Sequence, residues 1–188
     1  MLFVRQAGTP GTRSACFPTD EPADAASLRK AERLRKAERL GPALAAAVTW
    51  VAPVTAARQT AAALGSEATD APELAEADAG RWRGLPYAKV AETDPDGLAA
   101  WLGDPRAAPH GGESLARLAA RVSGWLDAAA AEAVVICDVG VIRAALGHAL
   151  GLGPLETVRF DVAPLSTTEL VPVRGGWRVA HVNRKVIT

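Results

Sequence analysis

Apolar positions along the chain fall into two kinds of block: short unbroken runs and longer stretches spaced at the helical period. Met1-Leu2-Phe3-Val4 is an unbroken run that stops at Arg5, ahead of a Gly/Pro/Thr-rich stretch at 7–12, and it predicts a strand feeding a loop. Residues 48–54 form a second run, ended by Pro53. Residues 133–137 form a third, wholly apolar, as in a parallel strand covered on both faces. Helical spacing predicts helices from Ser27, over 55–64 and over 141–150. Another follows Gly111-Gly112-Glu113-Ser114 and carries Leu115, Leu118, Val122, Trp125 and Leu126 on one face. Residues 169–173 and 177–182 flank Arg174-Gly175-Gly176 and predict a terminal β-hairpin. Residues 13–26 show no period, and 65–110 read as loop-rich.

The stretch after Ser27 contains a hexapeptide, Arg-Lys-Ala-Glu-Arg-Leu, at 29–34 and again at 35–40. Six residues turn a helix by about 240°, so Leu28, Leu34 and Leu40 cannot share one narrow stripe. The expected stripe is Leu34, Ala37, Leu40, Leu44 and Val48, with a break or kink at Gly41-Pro42. Acidic and basic residues interleave through the repeat, which predicts a solvated helix surface rather than a nucleic-acid patch.

Strands alternating with helices define an α/β fold: a three-layer α/β/α sandwich on a mostly parallel sheet, in one domain covering 1–188. In such sheets ligands sit beyond the carboxyl ends of the strands. Three strand ends carry chemistry here: Arg5-Gln6, Ala52-Pro53 and Cys137-Asp138. If their strands are neighbours, they converge on one crevice.

Composition narrows the function classes. The chain has 21 basic and 21 acidic residues, which gives no general electrostatic reason to bind nucleic acid or an anionic membrane. Cys16 and Cys137 belong to no Cys/His cluster, so neither a metal nor a cofactor is expected. No apolar stretch is long enough to span a bilayer, and the N-terminus lacks the pattern of a signal peptide, so a cytoplasmic location is expected. The expected partner is a small-molecule ligand, with homo-oligomerisation left open.

Five segments in order carry a resemblance. They are Arg5-Gln6-Ala7-Gly8-Thr9; Ala52-Pro53-Val54-Thr55-Ala56-Ala57-Arg58-Gln59-Thr60-Ala61; Leu74-Ala75-Glu76 with Gly80-Arg81-Trp82-Arg83-Gly84; Gly111-Gly112-Glu113-Ser114; and Cys137-Asp138-Val139-Gly140-Val141-Ile142-Arg143. Together they resemble the histidine phosphatase (phosphoglycerate mutase-like) superfamily across nearly the whole chain. That family's segments run Arg-His-Gly-Glu-Thr; Ser-Pro-Leu-x-Arg-Ala-x-Gln-Thr-Ala; Leu-x-Glu with Gly-x-Trp-Glu-Gly; Gly-Gly-Glu-Ser; and Ser-His-Gly-Gly-x-Ile-Arg.

The resemblance implies a crevice in which an imidazole accepts a phosphoryl group while two arginines and a second histidine balance its charge. Here the nucleophile position holds Gln6, the second histidine position Asp138 and the second arginine position Ala56, while Arg5 is kept. Glu76 aligns with the family's proton-donating glutamate. A glutamine amide is a very poor nucleophile. Asp138 adds a fixed anion where the resemblance places phosphate, and at about 4 Å and an effective dielectric near 20 the repulsion is about 4 kcal/mol. Arg58 lies about 200° round the helix from Ala56 and should face away.

Several of these residues have purely structural readings. Asp138 suits a helix N-cap and a partner for Arg5. His110, Glu113 and Ser114 flank the crevice in the resemblance, and Glu76, His110, Glu113 and Asp138 together could supply acid/base chemistry. Trp82 and Trp101 fall in the covering region, as ligand-stacking or packing residues. His148 and His181 read as structural. The expected site is therefore Asp138, Glu76 and His110 as catalytic candidates, with Arg5, Gln6, Ala56, Glu113, Ser114 and Trp82 around them. Three functions follow: a crevice repurposed for binding or non-phosphoryl acid/base chemistry, a non-catalytic binding or partner protein, and a residual phosphomonoesterase using Asp138. The retained fold-bearing segments favour the first.

Overall fold

The computed structural model describes residues 1–37, Leu40 and 48–186. Its described elements are β1 (Leu2–Arg5), α1 (Pro10–Arg13), α2 (Ala25–Lys36), β2 (Val48–Val51), α3 (Thr55–Leu64), β3 (Ala68–Asp70), α4 (Tyr87–Thr93) and α5 (Pro95–Gly103). These are followed by α6 (Leu115–Ala128), β4 (Ala133–Cys137), α7 (Val139–Leu150), α8 (Pro154–Thr157), β5 (Ser166–Val173) and β6 (Gly176–Lys185). The strands form one sheet in the order β3-β2-β4-β1-β5-β6. β1, β2, β3 and β4 run parallel, while β5 and β6 are antiparallel to their neighbours.

The order fixes the layers. The connections β1–α2–β2 and β2–α3–β3 move across the sheet in one direction, and β3 to β4 through α6 returns in the other. Right-handed crossovers then put α2 and α3 on one face and α6 on the opposite one, where it packs against α7. This is the expected three-layer α/β sandwich. All five residues of β4, the central parallel strand, are buried. Phe3, Leu34, Leu126, Ile136, Ile142 and Leu146 fill the layers on either side. Truncating one of these to alanine should cost about 2–5 kcal/mol.

Local details differ from the sequence reading. β2 stops at Val51, and Val48 at its head is 54% exposed rather than part of a buried helix stripe. α2 ends at Lys36, Ala37 caps it and is exposed, and the apolar face is Leu28, Ala31 and Leu34 instead. These three span about 120° centred on Ala31, a wider band than the narrow stripe assumed. Leu40 is buried beyond the helix end, while the predicted Leu44 and the break at Gly41-Pro42 lie outside the described residues. The first copy of the hexapeptide presents its charged side chains to solvent.

The stretch 65–110, expected to be loop-rich, holds β3, α4 and α5, and α1 interrupts the predicted 7–12 loop. Those helices are short, and a separate buried group of Phe17, Ala79, Trp82 and Val90 stabilises α4, not a long amphipathic stripe. α7 begins at Val139, two residues earlier than its pattern implied, because Asp138 caps it. The hairpin strands pair as predicted but extend further, with Val173 opposite Gly176. Among the described residues no helix is long and apolar enough to cross a membrane.

Candidate functional site

The register of the central strands brings the chemistry together. β1 and β4 align Arg5 with Cys137, and β2 and β4 align Val51 with Ile136. The three strand ends therefore open on one side of the sheet, and Gln6 and Asp138 follow directly from neighbouring strands. The Gln6 backbone N–H donates to the Cys137 carbonyl at 2.8 Å, which continues the ladder one residue past the strand.

Asp138 is held by three donors. Its Oδ1 accepts from Arg5 Nε at 3.1 Å and from the Val139 backbone N–H at 2.7 Å, and its Oδ2 accepts from Gln6 Nε2 at 3.1 Å. The carboxylate is thus both the N-cap of α7 and the ion-pair partner of Arg5, with side-chain exposures of 20% and 14%. Arg5 also donates through Nη1 to the Val162 carbonyl, which fixes its fork. A helix N-terminus favours an anion. Asp138 supplies that anion from the chain itself.

Glu76 reaches the same helix from the other side. Its Oε2 accepts from the Gly140 backbone N–H at 2.7 Å, and its Oε1 accepts from its neighbour Ala77 at 2.9 Å. Gly140 permits this contact, because a Cβ there would lie 2.0 Å from Glu76 Oε1. Burial pushes the Glu76 carboxyl up to about 7, and the nearby Asp138 charge adds to the rise. The two carboxyls therefore have different tasks available to them. Asp138 is engaged by three donors, and Glu76 can gain or lose a proton near neutrality.

A cavity of about 280 Å³ opens beside this pair. Arg5, Gln6, Glu76 and Asp138 line its deep end, with His110 and Glu113 on one flank. Burial lowers the pKa of His110, whose Nδ1 accepts from the Gly112 N–H at 3.0 Å while its ring packs edge-on against Trp82. Glu113 is paired with Arg121 at 2.6 Å. Ala56, Ser114 and Trp82 do not line the cavity. Ala56 is buried in α3, Ser114 caps α6, and Trp82 donates from Nε1 to Asp94 and packs with Phe17, Ala79 and Val90. Arg58 turns outward to Asp70, so it leaves the Ala56 position without a guanidinium.

Other residues complete the cavity, and of these the sequence had offered only Trp101, as a ligand-stacking or packing residue. Phe17, Tyr87 and Trp101 form an aromatic wall, with the Phe17 and Tyr87 rings 4.1 Å apart. Backbone bonds from Phe17 to the Leu85 carbonyl and from Tyr87 to the Ala15 carbonyl hold that wall over the crevice. Burial raises the Tyr87 pKa, and Glu76 adds to the rise. Arg143 lines the cavity one turn along α7 from Gly140, with Nε and Nη2 donating to the Phe160 carbonyl at 3.0 and 2.9 Å. Burial lowers its pKa, and the neighbouring Arg5 charge lowers it further. A second cavity of about 230 Å³ lies against Gln6, Glu76 and Asp138 and is bordered by Asp20, Asp78 and Arg83. Among the described residues no cluster of three or more His, Cys, Asp or Glu could hold a metal ion.

Fold and motif order define the class. The model of the histidine phosphatase superfamily (branch 1) matches residues 2–185, and the chain belongs to that superfamily. The bifunctional protein Rv2228c of Mycobacterium tuberculosis is 37% identical over 123 residues, 62% of this chain and 33% of that protein. The chain thus spans about a third of the length of the curated relatives it matches. Among solved structures, the alpha-ribazole phosphatase from Shigella flexneri superimposes with a TM-score of 0.84 at 16% identity, covering 100% of this chain and 97% of that one. The mycobacterial glucosyl-3-phosphoglycerate phosphatase Rv2419c in complex with VO3 gives 0.81 at 23% identity, with 98% of each chain covered. These likenesses establish the fold.

Proposed function

We propose that this chain keeps the histidine phosphatase fold but not phosphoryl transfer, and that its crevice binds a small molecule of zero or positive net charge. The carrying observation is Asp138, which sits at the α7 N-terminus with its oxygens taken by Arg5, Gln6 and Val139. An incoming phosphate would need that position and would meet the carboxylate instead. Gln6 offers no nucleophile, and Ala56 offers no second clamp.

Glu76 carries whatever catalysis the site performs, as general acid and base. Its carboxyl is enclosed, faces the cavity, and titrates at about 7, which suits proton exchange with a bound substrate. Burial, and secondarily the neighbouring Asp138 charge, keeps this proton on Glu76. Assay against a panel of phosphomonoesters tests the reading. Expected is no turnover above background. Hydrolysis that disappears in Asp138→Asn would overturn it in favour of an aspartyl-phosphate mechanism.

A further inference from the structure

Three features of the cavity select a ligand more narrowly than its size does. The first is Arg143. Arg5 is committed to Asp138, while Arg143 has no ion-pair partner among the described residues and spends Nε and Nη2 on one carbonyl. A part-buried guanidinium in a cavity wall calls for a counter-anion, and its planar fork matches a carboxylate. A phosphate dianion is disfavoured by the two carboxyl groups at the deep end.

The second is Gln6. Its side chain is more than nine-tenths buried, and Nε2 is pinned to Asp138. Oε1 is left buried with no hydrogen-bond partner among the described residues. Swapping the amide would put oxygen against the Asp138 carboxylate, so the open group is an acceptor. An unpaired buried acceptor costs about 1–3 kcal/mol, and a ligand N–H would satisfy it. Glu76 borders the same part of the cavity and adds negative charge when ionised.

The third is the placement of charge. Glu76 is anchored at the Gly140 N–H, Arg143 stands three residues further along α7, and both line the one cavity. A ligand that reaches both meets a carboxyl group and a guanidinium, which matches a molecule carrying a cation and an anion. Beyond them the wall is apolar, with Tyr87, Trp101, Leu115 and Val158. The volume is at the small end of ligand cavities.

Building on the reading that this crevice holds a small molecule, we propose that the ligand is a zwitterion of the α-amino-acid type with an apolar side chain. Its carboxylate pairs with Arg143, its ammonium donates to Gln6 Oε1 and Glu76, and its side chain lies along Tyr87 and Trp101.

Calorimetric titration of the full chain with L-phenylalanine, L-leucine and L-tryptophan tests this, alongside 3-phenylpropanoate, 2-phenylethylamine and phenyl phosphate. At least one amino acid should bind, and each truncated analogue should bind at least about tenfold more weakly than phenylalanine or not at all, the scale of one lost charge-assisted contact. In Arg143→Gln, phenylalanine should fall to the level of phenylethylamine, with the thermal midpoint confirming the fold. The proposal is overturned if none of the three amino acids binds, or if phenylethylamine matches phenylalanine on the wild-type protein. Neither result touches the reading of the crevice as non-phosphoryl. Tight binding or hydrolysis of phenyl phosphate overturns that reading and this proposal with it.

Discussion

Glu76 Oε2 and the backbone N–H of Gly140, 64 residues apart in sequence, are joined by a 2.7 Å hydrogen bond at the mouth of α7. The contact exists because position 140 has no side chain. It places a protonatable carboxyl beside the Asp138 carboxylate, and the proposed acid/base role of the site rests on that pairing.

Gly140→Ala tests the contact directly. Helix propensity favours alanine by up to about 1 kcal/mol, but the new Cβ would overlap Glu76 Oε1. The clash should win, with a net loss of about 1–3 kcal/mol in urea unfolding. In a Glu76→Ala background the same substitution should become neutral or stabilising. A loss of equal size in both backgrounds would show that the strain lies elsewhere.

The Glu76 proton has a stability signature. Its folded pKa, about 7, is above the ordinary value of 4.5, so the unfolded chain ionises first as pH rises. The contribution is fully present below about pH 4.5, declines as pH climbs towards 7, and is then lost, amounting to about 3 kcal/mol. His110 and His181, lowered by burial, act in the opposite sense as pH approaches 6.5. Unfolding free energies from pH 4 to 8 should therefore be compared between wild type and Glu76→Gln. The difference should vary across this window, and a pH-independent difference would remove the shift.

Asp138→Asn separates the charge from the cap. Asparagine caps helices about as well as aspartate, whereas Asp138→Ala also loses the cap, worth about 1 kcal/mol. Both substitutions leave Arg5 without its counter-ion, so both should destabilise the fold, alanine more. Both should also raise the affinity for inorganic phosphate by about tenfold or more, read as stabilisation on phosphate addition. Unchanged phosphate affinity in both variants would mean that Asp138 does not guard the pocket.

Arg58 supplies the contrast. Its pair with Asp70 is about half exposed on each side, at 49% and 46%. Arg58→Ala should change stability by no more than about 0.5 kcal/mol and leave ligand binding unaltered. Altered binding would return Arg58 to the site.

The strands and helices were legible where their pattern was long or pure. The wholly apolar β4 and the α3 helix have the bounds their residues predict. The α4 and α5 region was not legible, because Phe17, 70 residues from Tyr87 and 84 from Trp101, supplies the packing that makes those short helices stable. The same gap hid the aromatic wall of the cavity, since nothing local marks Phe17 or Tyr87 as ligand-facing. Ala56, Ser114 and Trp82 matched site motifs but face the core, a cap and a satellite cluster, because motif position fixes a residue's element and not its solvent exposure.

The sequence by itself determined the sandwich fold, the family and the substitutions Gln6, Ala56 and Asp138, since these depend on local pattern and residue identity. Only the tertiary structure decided that Asp138 is engaged by Arg5 and Gln6 and that burial raises the Glu76 pKa. Both properties depend on burial and on neighbours that strand register brings in from distant parts of the chain.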